Sequence, residues 1–239
     1  MSGHSKWSTI KHKKAKEDSK RGKIFTKLIR EITVAAREGG GDPDGNPRLR
    51  LIIEKSKAVN MPQDNILRAI KKGTGGLDGV NYEESTYEGY GLHGTAVIVE
   101  VLSDNKNRTV ADVRHILTKM GGRLAENGSV SWMFEHKGVI RALAGKMTED
   151  DLVEKLLAYD IDDLELDEGV FAITCKMQEL DTVRKAVVDA GLKVEHAEIE
   201  WVAKSSIVLE DKEQEESVVK MLEALEDHDD VQNVYTNLG

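Results

Sequence analysis

The chain has 239 residues, with 34 Lys and Arg against 43 Asp and Glu for a formal net charge of −9, and is 39% hydrophobic but only 5% aromatic. At roughly 100–200 residues per domain, that length and the sparse aromatics favour several small α+β cores over one large core. The single cysteine, Cys175, excludes a disulfide framework or a multi-thiolate zinc site, and no apolar run approaches the roughly 20 residues that span a bilayer, so a soluble cytoplasmic protein is expected.

The two signs of charge are segregated along the chain. Residues 1–72 hold 18 basic and 8 acidic side chains, a balance of +10, and residues 73–239 hold 16 and 35, a balance of −19. Such asymmetry predicts a polyanion partner for the basic head. The head opens on an arm carrying Lys6, Lys11, Lys13, Lys14, Lys16, Lys20 and Arg21, and it lacks the apolar segment of a secretory signal. Trp7 lies inside this arm, where an indole can stack on a base. From Lys23 to Glu38 the residues Phe25, Leu28, Ile29, Ile32, Ala35 and Ala36 recur at helical spacing. Lys23, Lys27, Arg30 and Arg37 fall on the opposite side, so the expectation is an apolar face that docks and a cationic face left to solvent.

After Gly39, Gly40 and Gly41, Asn46 is placed to cap a second helix starting at Pro47, with Leu49, Ile52, Ile53 and Val59 inward. A third helix starts near Pro62, buries Ile66, Leu67 and Ile70, and ends at Gly73. Arg48, Arg50, Arg68, Lys71 and Lys72 extend the positive charge over these helices. The competing reading is an ordinary solvated helix face with Trp7 packed on the body; the extent of the excess on an otherwise acidic chain favours polyanion binding.

GTGGLDGVN, residues 73–81, reads as a linker, and KKGTGG at 71–76 places Lys before the glycines, unlike a P-loop. Beyond it an α+β pattern is predicted: a strand at 95–102, a helix over 110–120 capped by Asn107 or Thr109, and strands at 130–136 and 138–143. A helix over 149–158 follows, then a strand at 169–175, a helix over 179–190 and a strand at 193–202. A short strand at 206–210, a helix over 212–227 and a strand at 231–235 complete the chain. Two topologies fit this order: two consecutive domains, or residues 137–204 inserted into a domain made of 80–136 and 205–239. The insertion is favoured because strands 95–102 and 130–136 with one helix form only half of a ferredoxin-like sandwich, which the C-terminal helix and strand complete. The expected architecture is therefore a basic arm and helical domain over 1–75 followed by two ferredoxin-like α+β domains.

Few residues outside the head suggest chemistry. The turn SDNKNRT, 103–109, sets Lys106 and Arg108 beside a helix N-terminus, a place that favours anions, although a well-made loop with incidental charge explains it equally well. Tyr87 and Tyr90 in YEGYGLHG fit an exposed aromatic turn or, more simply, the edge of a core. The histidines show no metal-ligand spacing, EDHDD at 226–230 reads as solvated surface, and no nucleophile motif is present. No enzyme activity, metal or cofactor is expected.

Taken together, GHSKW with its basic arm, KRGKIFTKLIREI, GGGDPDGNPRLR, YEGYG with GTAVIVEVLSDNKNRT, and VRHILTKMGG resemble the YebC/PmpR family, whose mitochondrial relative is the translational activator of cytochrome oxidase. The resemblance runs over essentially the whole chain. It implies a helical N-terminal domain with two α+β domains, and a DNA-binding transcriptional regulator. Other members look like ribosome-associated factors that help translation of proline-rich stretches. The expected partner is thus DNA or ribosomal RNA, the latter within the ribosome, with no membrane partner and with a monomer compatible. The first helix offers Lys and Arg without the Asn or Gln that reads adenine, which favours recognition of backbone and shape.

Overall fold

The helical region is encoded locally, and Asn46 is its hinge. The computed structural model describes Trp7, residues 21–77 and residues 81–239. Three helices come first: α1 (Arg21–Gly39), α2 (Pro47–Ala58) and α3 (Gln63–Gly73). The Asn46 Oδ1 accepts from the Leu49 amide at 3.1 Å and caps α2, while its own amide donates to the carbonyls of Ala35 at 2.8 Å and Gly40 at 2.9 Å. One side chain thereby fixes both the end of α1 and the start of α2. Leu28, Ile32, Ala35 and Ala36 pack on Leu49, Ile52, Ile53, Met61, Ile66 and Ala69 as a small core. Gly73 closes it: a Cβ there would lie 2.3 Å from the Thr33 carbonyl oxygen, so α1 and α3 meet only through glycine.

The remaining elements are β1 (Glu83–Tyr90), β2 (Ala96–Ser103), α4 (Lys106–Lys119), β3 (Arg123–Leu124), β4 (Phe134–Leu143), α5 (Glu149–Leu156), β5 (Ile161–Asp167), β6 (Val170–Lys176), α6 (Leu180–Asp189), β7 (Lys193–Ala203), α7 (Lys212–Glu226) and β8 (Val231–Thr236). They make two antiparallel four-stranded sheets, ordered β3-β1-β2-β8 and β5-β6-β4-β7. The chain leaves the first sheet after β3, builds the second between residues 134 and 203, and returns as α7 and β8. The second sheet has the β-α-β-β-α-β order of a ferredoxin-like unit. The first starts instead with the β1-β2 hairpin.

The apolar run of β2 is explained by burial on both faces. Val97, Val99 and Val101 meet Val113 and Leu117 of α4 and Val218, Met221, Leu222 and Leu225 of α7. Ala96 and Ile98, on the other face, meet Val130, Phe134 and Ala203 where the two sheets touch. The second sheet buries Ile140, Phe171 and Ile173 under Leu152, Leu156, Val183 and Val187 of α5 and α6.

Several expected elements are corrected. The strands expected at 130–136 and 138–143 are one strand, β4, preceded by a 3-10 turn at Ser131–Met133. Gly138 lies inside this strand, where a Cβ would lie 2.9 Å from Cys175 Sγ and 3.0 Å from Leu180 Cβ, so the close packing there leaves room only for glycine. β1 and β5 were not expected: EESTYEGY opens on four polar residues and has only Tyr87 and Tyr90 as large apolar side chains, and IDDLELD is an acidic sheet edge. SIVLE contributes only an isolated bridge, Ile207 to Leu238. Asn105, not Asn107 or Thr109, caps α4, its Oδ1 accepting from the Arg108 amide at 3.1 Å.

Candidate nucleic-acid interface

Lys23, Lys27, Arg30 and Arg37 of α1 find partners within the chain, although Lys23 and Arg37 keep exposed side chains. This face of the helix is laid against the C-terminal end of α7 and the turn that follows. Lys23 Nζ donates to the Asp227 carbonyl at 3.0 Å and lies 3.5 Å from its carboxylate, and Lys27 Nζ donates to the Glu226 carbonyl at 2.9 Å. These are the last carbonyls of a helix, whose partial negative charge favours cations. Arg30 Nη1 donates to the Asp229 carbonyl at 2.5 Å and to Asp230 Oδ1 at 2.8 Å. Arg37 donates to Asn81 Oδ1 and, at 2.6 Å, to the Tyr82 carbonyl. Four of the cations singled out from sequence therefore join the helical region to the first sheet.

Asp230 is the centre of that joint. Its side chain is 3% exposed, and besides Arg30 it takes Arg108 Nη2 at 2.9 Å, the Thr109 hydroxyl at 2.6 Å and the Ser103 hydroxyl at 3.2 Å. Burial opposes its ionisation, but the Arg108 and Thr109 hydrogen bonds and the Arg30 charge prevail and hold its carboxyl down at about 2. The acidic run EDHDD, expected as solvated surface, is thus partly a buried cation receptor. Arg108 also pairs with Asp104 at 2.7 Å, and Lys106 pairs with Glu83 Oε2 at 2.7 Å. The first turn of α4 consequently presents cations already matched by carboxylates within the chain.

Trp7 is a correction to its expected role in base stacking. It is 3% exposed, lies in the core beside Val99, Met221 and Val234, and its indole N–H donates to the Val234 carbonyl at 3.2 Å. An indole held this way has no face to offer a base. Lys6, Lys11, Lys13, Lys14, Lys16, Lys20 and the Arg21 side chain lie outside the described residues.

Other cations, some of them overlooked in sequence, stay on the surface. Arg68, Lys71 and Lys72 on α3 are exposed, and among the described residues none of them is in an ion pair. The same is true of Arg114 and Lys119 on α4, of Arg123 and of Lys204. The last four sit one by one in a mostly acidic segment, so charge counting alone passes over them; only the contact pattern separates them from the cations of the joint.

A cleft of about 890 Å³ between the helical region, β7 and the end of α7 is walled by both signs, with Arg48, Lys55 and Arg184 facing Glu31, Glu198 and Glu200; Lys106 and Arg108 lie outside it. Lys55 crosses this cleft to Glu198 Oε1 at 2.7 Å. Cys175 is fully buried, and burial raises its thiol to about 11, the reverse of what a nucleophile needs. Among the described residues no group of His, Cys, Asp and Glu could hold a metal ion, and no helix is long and apolar enough to cross a membrane.

Comparison with known proteins places both parts of the chain. Residues 5–76 match the model of the TACO1/YebC protein N-terminal domain, and residues 82–238 match that of the TACO1/YebC second and third domain. The chain is 53% identical over 237 residues to a protein of Desulfosudis oleivorans, covering 99% of this chain and 96% of that one. It is 54% identical over 239 residues to a protein of Prosthecochloris aestuarii, covering 100% and 95%. Both relatives are named probable transcriptional regulatory protein. A crystal structure of a conserved hypothetical protein from Aquifex aeolicus superposes with a TM-score of 0.86 at 46% identity, over 94% of this chain and 93% of that one.

Proposed function

Because the chain belongs to the TACO1/YebC family, we propose that it is a non-catalytic regulatory protein that acts on transcription by binding nucleic acid. The names of its relatives support the regulatory role. The observation that carries nucleic-acid binding is the distribution of charge: once the cations of the Asp230 joint are set aside, α3 still presents Arg68, Lys71 and Lys72 to solvent with no ion pair among the described residues, and the arm is rich in lysine by sequence, with Lys11, Lys13, Lys14 and Lys16. Lysines and arginines without carboxylate partners neutralise phosphates and release counterions. Lys23, Lys27, Arg30, Arg37, Lys106 and Arg108 act in this reading as structural cations, and binding falls to the arm and α3.

The domain division that goes with this function is the inserted one, residues 137–204 within a domain of 80–136 and 205–239. The pairing of β2 with β8 supports it, with the refinement that the second sheet begins at Phe134.

Titration with duplex DNA over a range of salt concentrations tests the assignment. Replacing Lys11, Lys13, Lys14 and Lys16 together by Ala, and separately Arg68, Lys71 and Lys72, is expected to weaken binding and flatten the dependence of log K on log salt by about 0.9 per lost phosphate contact. An unchanged slope in both variants overturns the reading.

A further inference from the structure

One exposed aromatic side chain is held too firmly to be incidental surface. Trp132 is 66% exposed, yet the residues on either side are anchored: Val130 is fully buried and Phe134 is 3% exposed, both in the core between the sheets. Its indole N–H donates to the Ser129 carbonyl at 3.0 Å, which also accepts from the Tyr90 hydroxyl at 3.0 Å. Its own carbonyl accepts from Lys204 Nζ at 2.9 Å. Glu88 fixes the loop beneath by accepting from the amides of Gly128 at 2.7 Å, Val130 at 2.7 Å and Ser131 at 2.9 Å.

Two exposed cations with no ion pair among the described residues, Arg123 and Lys204, lie close to the loop that carries this indole. The Arg123 guanidinium lies 4.9 Å from the centre of the Tyr90 ring, the ring that holds Ser129, and Lys204 touches the Trp132 backbone. A fixed, exposed aromatic face with cations close by is the arrangement that takes a base on the ring and phosphates beside it. We propose that Trp132 is a stacking platform for an unpaired base of single-stranded nucleic acid, with Arg123 and Lys204 contacting the adjoining phosphates. This rests on the nucleic-acid reading above but places a second contact on the α+β body, away from α3.

The full-length chain is titrated against fluorescein-labelled oligothymidylate, oligouridylate and a DNA duplex. Trp132→Ala is expected to weaken single-strand binding about tenfold and duplex binding far less, because bases in a duplex are already stacked. Trp132→Phe keeps an aromatic face and is expected to restore most of the affinity, with the urea midpoint of both variants at the wild-type value. If wild type binds the oligomers and Trp132→Ala binds them equally well, the stacking proposal is overturned, the nucleic-acid reading stands, and the indole is left as a protein-contact residue. A loss that Phe does not restore also counts against stacking. Failure of wild type to bind any of the three probes overturns both readings.

Discussion

Two buried carboxylates organise this protein in opposite ways. Asp230 is satisfied by side chains brought from α1, β2 and α4, two of them cations. Glu88, 6% exposed, is satisfied by three backbone amides of one loop, with no ion pair among the described residues. Around Asp230 the cations are tied to acceptors within the chain; beside the Glu88 loop Arg123 and Lys204 stay at the surface with no ion pair among the described residues. The difference teaches that charge content does not locate a binding surface. What counts is which cations find a carboxylate or a helix C-terminus within the chain.

The largest effect is expected at Asp230. Asp230→Ala leaves Arg30 and Arg108 without their shared partner and the Ser103 and Thr109 hydroxyls without an acceptor, and removing one member of a buried pair typically costs about 3–5 kcal/mol. Urea denaturation measures it, and a loss below about 1 kcal/mol would show that the joint is incidental. The pH dependence carries a definite sign. A carboxyl lowered from 3.8 to about 2 contributes stability that is complete above pH 4 and disappears as the pH falls from 4 to 2. Asp230→Asn should therefore be less stable at neutral pH and should lose less than wild type on acidification across that window.

The helical region was readable because its signals are local. Asn46, Pro47 and Gly73 encode caps and stops within a few residues, and the Leu28 and Ile32 stripe fixes which face of α1 enters the core. The strand run 96–103 was readable because burial on both faces writes it as unbroken apolar sequence. β5 was not, since an edge strand facing water needs few apolar residues. In the candidate site, the sequence identified Arg30 and Arg108 as unusual cations but not their common destination, because Asp230 is 200 and 122 residues away from them. Trp7 misled for the same reason: its acceptor, the Val234 carbonyl, is 227 residues distant.

The Glu88 loop provides the next test. Glu88→Ala strips three amides of one acceptor group, and at about 1–3 kcal/mol for an unsatisfied buried group, lessened by water reaching Gly128, a loss near 2 kcal/mol is expected. Hydrogen exchange should localise the change: the Val130 and Ser131 amides should lose protection while the α1 amides keep theirs. Accelerated exchange in α1 as well would mean that the loop and the joint are one cooperative unit rather than two.

The smallest effect is expected where a joint cation is most exposed. Lys23 has a side-chain exposure of 47% and meets a carboxylate of 52% exposure at 3.5 Å, so water screens the pair and the long side chain loses rotamer freedom in forming it. Exposed pairs of this kind contribute about 0.2–1 kcal/mol, and the carbonyl contact with the end of α7 adds a few tenths. Lys23→Ala should therefore shift stability by less than about 1 kcal/mol, and less again in high salt, which screens surface charge but not the buried Asp230. The same variant separates structural from binding roles. If Lys23 belongs to the joint, its replacement leaves the salt slope for DNA unchanged; a slope reduced as much as that of the α3 variants would return the α1 face to the binding surface and require the joint to open when nucleic acid binds.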